Sequence, residues 1–208
     1  MGAIPTSQLP GHKQIHERVI SALERCQESQ DIDFKESVPW PGIQWRITKT
    51  ALAMGNLRDG GIIVVGVSER DNKWTLSGIS NLELITYDPD IVIDQVNAYV
   101  SPHVDLDVVS VEHDGKVFLA IRVREFSDTP LVCKRNGPKG SDLLEGAVYV
   151  RPPGMARTTR ITNAAQMTEL LELAGEKRAR RILEISRRIG LAPSQTIADL
   201  FDQELGDL

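Results

Sequence analysis

Asp33 and Lys35 stand two residues apart in the run Glu28-Ser-Gln-Asp-Ile-Asp-Phe-Lys-Glu-Ser-Val38. If that run is extended, both side chains project from one face, and Ile32 and Phe34 project from the other. An acid beside a lysine on one strand face suits phosphodiester cleavage. The carboxylate ligates a divalent cation, and the ammonium sits near the scissile phosphate or the attacking water. One carboxylate holds such an ion poorly, so others must converge on it. Glu28 can fold back over the strand, and Ser68-Glu69-Arg70-Asp71 offers Glu69, with Asp71 as the alternative. The same residues also read as a ladder of surface ion pairs, which would carry no chemistry.

A second group of residues could hold the substrate. The 208-residue chain has a net charge of −5, but the charge is unevenly spread. Residues 1–121 hold ten Lys and Arg against seventeen Asp and Glu, whereas residues 122–160 hold eight basic residues against four acids. An acidic part for cations beside a basic part for phosphates suits a nuclease; an ordinary scatter of surface charge is the alternative. Lys134, Arg135 and Lys139 lie in the polar run Lys134–Ser141, and Arg151, Arg157 and Arg160 flank Pro152-Pro-Gly154. Both are loop settings suited to gripping phosphates. Trp40 and Trp45 offer rings for base stacking, although Trp45 fits better beneath a helix.

Several classes are set aside. Gly60, Gly61, Gly66 and the Gly137–Ser141 segment match neither a Rossmann fingerprint nor a Walker loop, so no nucleotide cofactor is expected. Cys26 and Cys133 flank no metal-ligand spacing, and His12 and His16, which would share a face if the first helix reached back to them, have no second pair near them, so zinc is not expected; the thiols read as reduced in a cytoplasmic protein. No apolar run is long enough to span a membrane, and the N-terminus has no signal-peptide pattern.

The elements that must position these residues follow from periodicity. Ile15, Val19, Ile20 and Leu23 mark a helix, Asp31–Lys35 a short strand, and Ile43, Ile47, Ala51, Met54 and Leu57 a second helix. Pro39-Trp-Pro-Gly between them is expected to be a loop. Asp59-Gly-Gly61 turns into the buried strand IIVVGV, with a neighbouring strand over Trp74–Ile79. Asp88-Pro89 caps a third helix carrying Ile91, Ile93, Val96 and Val100. Asp114-Gly115 joins two alternating segments as a hairpin. Further strands are expected at 129–133 and 147–151, a helix over 163–189, and a short acidic helix over 194–205. The expected class is α/β of the α+β type, with a mixed, largely antiparallel sheet flanked by helices and a helical C-terminal tail. The boundaries expected are 1–13 for a flexible N-terminus, 14–175 for the domain and 176–208 for the tail. Gly190-Leu-Ala-Pro-Ser resembles the turn of a helix-turn-helix, but the acidic segment after it reads as a packing or dimerising appendage.

The ordered set Glu28–Lys35, Ala51–Asn56, Gly60–Val67, Gly78-Ile79, Thr129-Pro-Leu131 and Val148–Gly154 resembles the Schlafen-type divergent Alba nucleic-acid-binding domain. The likeness runs over roughly residues 15–174. It implies a nucleic-acid-binding fold and, as in family members with RNase activity, a carboxylate trio for Mg²⁺- or Mn²⁺-dependent cleavage of structured RNA such as tRNA. By resemblance Glu28 and Asp33 take the first two positions, and Glu69 stands nearest the third, where Ser68 replaces a common aspartate. Asp33 itself replaces the usual glutamate. The expectation is therefore an endoribonuclease; a non-catalytic DNA- or RNA-binding regulatory module and a protein-interaction scaffold are its alternatives. In eukaryotic members two related lobes clamp the nucleic acid, so a single lobe implies a homodimer.

Overall fold

The computed structural model describes residues 12–71 and 73–189. In chain order the first half comprises α1 (His12–Arg25), β1 (Ile32–Lys35), α2 (Trp40–Gly55), β2 (Gly61–Val65), β3 (Val67–Arg70), β4 (Lys73–Leu76), α3 (Asn81–Leu84) and α4 (Pro89–Asn97). The second half comprises β5 (Val100–Ser101), β6 (Leu106–His113), β7 (Lys116–Val123), β8 (Val132–Cys133), β9 (Tyr149–Val150), β10 (Thr159–Arg160) and α5 (Ala164–Arg188).

The central sheet has the order β1-β2-β7-β6. β1 runs parallel to β2, and the other two pairings are antiparallel. The expected class, mixed α/β with a largely antiparallel sheet, is what is found. β6 and β7 join through Asp114 and Gly115, both at positive φ (50° and 70°), the backbone that a two-residue hairpin needs to match strand twist. Because side chains alternate across a strand, Ile62, Val64, Phe118 and Ala120 meet Ile15, Val19 and Leu23 of α1. Ile63, Val65, Leu119 and Ile121 meet Ile43, Ile47 and Ala51 of α2. The sheet is thus covered on both faces. In β1, Ile32 and Phe34 join the α1 side, which turns Asp33 and Lys35 toward the α2 side.

Three sequence expectations are corrected. α2 starts at Trp40 and takes Pro41 and Gly42 into its first turn, where a missing N–H breaks no helical bond. The strand IIVVGV stops at Val65, because Gly66 (φ +114°) bends the chain into a separate β3–β4 hairpin. A Cβ on Gly66 would lie 2.9 Å from the Gly78 backbone, so only glycine fits that bend. The strands expected at 129–133 and 147–151 shrink to two-residue pairings, β8 with β5 and β9 with β10, and Val100 joins β5 instead of the third helix. α5 matches the helix expected over 163–189 and continues without a break past residue 175. α3, with its Ser80–Glu83 capping box, is an element the periodicity did not mark. The segment 194–205, and residues 1–11 of the expected flexible N-terminus, lie outside the described residues.

Candidate functional site

β1 holds Asp33 almost fully buried, at 5% exposure. Both of its carboxylate oxygens are engaged by cations: Oδ2 accepts from Lys35 Nζ, and Oδ1 accepts from Arg151 Nη1 at 2.9 Å. Arg151, just past β9, is 1% exposed. Its Nη2 donates to the Ser29 carbonyl at 3.2 Å, and its own carbonyl accepts from Gln30 Nε2 at 2.7 Å. Its Nε has no hydrogen-bond partner among the described residues. Glu28 closes the group, its Oε1 accepting the Phe34 backbone N–H at 2.7 Å. Burial pushes the Glu28 carboxyl above the usual glutamate range, and the charge of Asp33 adds to that, while the Phe34 bond, Lys35 and Arg151 pull the other way.

The structure brings together Glu28, Asp33, Lys35 and Arg151, but neither Glu69 nor Asp71. Glu69 pairs across the hairpin with Trp74, whose ring meets Phe34 edge-on at 5.3 Å. That places Glu69 with the Phe34 side of β1, opposite the side to which Asp33 and Lys35 point. Asp71 is exposed in the turn beyond it. Among the described residues no three His, Cys, Asp or Glu side chains are gathered as an ion would require. Mg²⁺ or Mn²⁺ asks for several free oxygens. Here Asp33 spends both oxygens on an ammonium and a guanidinium, and Glu28 spends one on a backbone N–H. This arrangement of donors does not fit a divalent cation.

The basic residues divide. Arg151 is committed to Asp33 in the interior and is removed from the set that could meet a phosphate. Lys134, Arg135, Lys139, Arg157 and Arg160 are all exposed. Among the described residues no carboxylate pairs with any of these five. Other cations are paired: Arg18 with Asp31, Arg46 with Glu36, Arg58 with Glu176, and Arg122 and Arg124 with Asp107. Arg135 lies over the Tyr99 ring at 4.4 Å. Trp40 is corrected as a stacking residue: it is buried and donates through Nε1 to Gln95 at 2.7 Å. Trp45 is half-buried against Tyr99, as its helical position suggests. A residue the sequence reading passed over is Asn56 at the end of α2. Its Nδ2 donates to the carbonyls of Leu131 (3.0 Å) and Tyr149 (2.9 Å), and its Oδ1 accepts the Leu131 N–H at 2.7 Å. Its place in the run Ala51–Asn56 was the only signal.

Residues 28–158, which contain the whole Asp33 cluster, match the family described as Schlafen, AlbA_2. The chain belongs to that family. No curated protein matches this Schlafen-type chain. Among solved structures it is similar to the DIP2311 protein from Corynebacterium diphtheriae, with 18% identity and a TM-score of 0.49 over 72% of this chain. The chain spans only 26% of that protein's length. It is also similar to the N-terminal domain of a RecG-related protein from Nitrosomonas europaea, with 19% identity and a TM-score of 0.42. That likeness covers 63% of this chain and 87% of the other. Among the described residues no helix is long and apolar enough to cross a membrane.

Proposed function

We propose that this chain is a nucleic-acid-binding module that holds its ligand by phosphate contacts and performs no cleavage. The observation that carries the reading is the set of five exposed cations, Lys134, Arg135, Lys139, Arg157 and Arg160, with no carboxylate partner among the described residues. In a chain where acids outnumber bases, unpaired lysine and arginine on one stretch are the groups available to displace counterions from a polyanion. The Asp33–Arg151 pair supports the non-catalytic side of the reading: it reads as a structural tie, with both carboxylate oxygens already neutralised. Cleavage by Glu28, Asp33, Lys35 and Glu69 with Mg²⁺ or Mn²⁺ would need Lys35 and Arg151 to release Asp33 and the β3–β4 hairpin to swing Glu69 across.

The test is direct. Purified protein is incubated with labelled tRNA and with plasmid, in Mn²⁺ or in EDTA, and binding is followed at low and moderate salt. Binding that weakens steeply with salt, with no metal-dependent product, is the expected result. Cleavage in Mn²⁺ that is abolished by Glu28→Gln would restore the endoribonuclease. No binding to either polymer would leave the protein-interaction scaffold.

The working unit we propose is a homodimer paired through α5. Its N-terminal half carries Glu169, Glu172 and Glu176, and its C-terminal half carries Lys177, Arg178, Arg180, Arg181, Arg187 and Arg188 against Glu184. An antiparallel partner would set each acidic half against a basic one.

A further inference from the structure

A cavity of about 450 Å³ opens between α2 and the loop 134–142. We propose that it seats one unstacked nucleotide of a single strand, with the base against Trp45 and the phosphate between Lys49 and Lys139. The inference rests on the nucleic-acid reading above and gives it a place and a preferred form of ligand. The volume lies in the range of small-molecule sites. Trp45, Arg46 and Lys49 line one wall from α2, and Lys139 and Asp142 line the other.

The aromatic side of the cavity is held in place before any ligand arrives. The Trp45 ring meets Tyr99 edge-on at 5.0 Å and 76°, and the Arg135 guanidinium covers the Tyr99 face at 4.4 Å. A ring fixed by its neighbours gives up little rotamer freedom when a base stacks on it. The loop is equally set. Gly137 N–H donates to the Leu143 carbonyl at 2.9 Å, and Ser141 N–H donates to the Pro138 carbonyl at 3.0 Å. A Cβ on Gly137 would fall 2.2 Å from Ser141 Oγ, so the close approach that shapes the loop depends on glycine.

The electrostatics favour an anion. Lys49, whose side chain is 26% exposed, faces the Asp142 carboxylate at 3.3 Å, and that carboxylate is 78% exposed. A pair whose carboxylate is this open to water is weak, so a phosphate can take the place of Asp142 at small cost. Arg46 is paired in the same way with Glu36 at 3.1 Å, and Lys139 has no carboxylate partner among the described residues. A base inside a duplex presents only its edges and cannot enter a cavity of this size, whereas a single strand can turn one base out.

Anisotropy with a fluorescent oligo-dT or oligo-U strand of about twelve nucleotides, set against a blunt duplex of equal length, tests the proposal. The wild type is expected to prefer the single strand. Lys49→Ala combined with Lys139→Ala, the first half-buried and the second exposed, should weaken single-strand binding at least about tenfold while circular dichroism shows the fold kept. Trp45→Phe should weaken it less than Trp45→Leu, provided circular dichroism shows both folded. If the wild type binds but the lysine pair can be removed without loss, or if the duplex is preferred, this inference fails and the nucleic-acid reading stands. If the wild type binds neither strand form, both fail.

Discussion

Asp33 and Arg151 lie in a setting where a lone charge is strongly disfavoured, because both are buried and each is the other's counterion. Truncating one partner of such a pair leaves the other uncompensated and costs about 3–5 kcal/mol. We expect Asp33→Ala and Arg151→Ala each to lower the urea midpoint severely. The double variant Asp33→Leu with Arg151→Met should be much less damaged than the two single losses added together. Additive losses in a double-mutant cycle would show that the pair is not coupled. Glu28 gives a pH signature. Burial sets its folded pKa above its unfolded value, so between those two values the folded state binds more protons. Rising pH therefore lowers the Glu28 contribution to stability across that window. Glu28→Gln removes the charged form while keeping an acceptor for the Phe34 N–H. Its midpoint relative to wild type should rise as the pH climbs above the ordinary glutamate range. A constant offset would rule out a raised carboxyl. At this scale the sequence was half legible. The spacing of Asp33 and Lys35 foretold their shared face. Burial of Arg151 was hidden, because its partner lies 118 positions away and nothing local to Pro152-Pro-Gly154 marks it as interior.

Elements were more readable than contacts, for a physical reason. Alternation in β6 and β7 and the apolar spacing of α1 report which face meets the core, and the core is what fixes those elements. Backbone-driven events were less visible. The bend at Gly66 depends on the close approach of Gly78, which no periodicity encodes, and it carried Glu69 away from Asp33. The same applies to the short pairings around β8 and β9, which are held partly by a side chain. Asn56 ties the end of α2 to Leu131 and Tyr149 with three hydrogen bonds. At about 1 kcal/mol each, and more where a buried backbone group is stranded, Asn56→Ala should cost about 3 kcal/mol or more. Asn56→Asp should not rescue it, because a carboxylate has no N–H for the two carbonyls. Hydrogen exchange should show the loop 129–131 opening first in Asn56→Ala; unchanged protection there would contradict the tie.

For the molecule as a whole, α5 is the feature that points outward. Leu170, Leu173 and Ala174 bury against the body, while Met167, Leu171, Ile182, Ile185 and Ile189 remain exposed, Ile182 at 63%. Ion pairs from Arg58 to Glu176 and from Lys177 to Glu125 fasten the middle of the helix. The exposed residues form a stripe at helical spacing over about 33 Å, the kind of apolar surface that marks an association site. Light scattering at micromolar concentration should therefore find a dimer that dissociates when Ile182 and Ile185 are both changed to Glu. With Cys26→Ser as background, Arg178→Cys, at the centre of the stripe, should cross-link across the two-fold axis, whereas Ile189→Cys, at its end, should not. A monomer, whether the stripe is bare or covered by residues 190–208 of its own chain, would overturn this, as would cross-linking at both positions.

Chain order attaches a kinetic consequence to the Asp33–Arg151 tie. Every strand of the central sheet lies between residues 32 and 123, and the core on its α1 side ends at Ala120, so the sheet and that core can assemble before Arg151 takes part. Until then Asp33 has only Lys35 as a counterion in a closing interior. The tie is therefore expected to form after the rate-limiting barrier and to act as a latch on a sheet already built. Removing it should quicken unfolding and leave the refolding rate nearly unchanged.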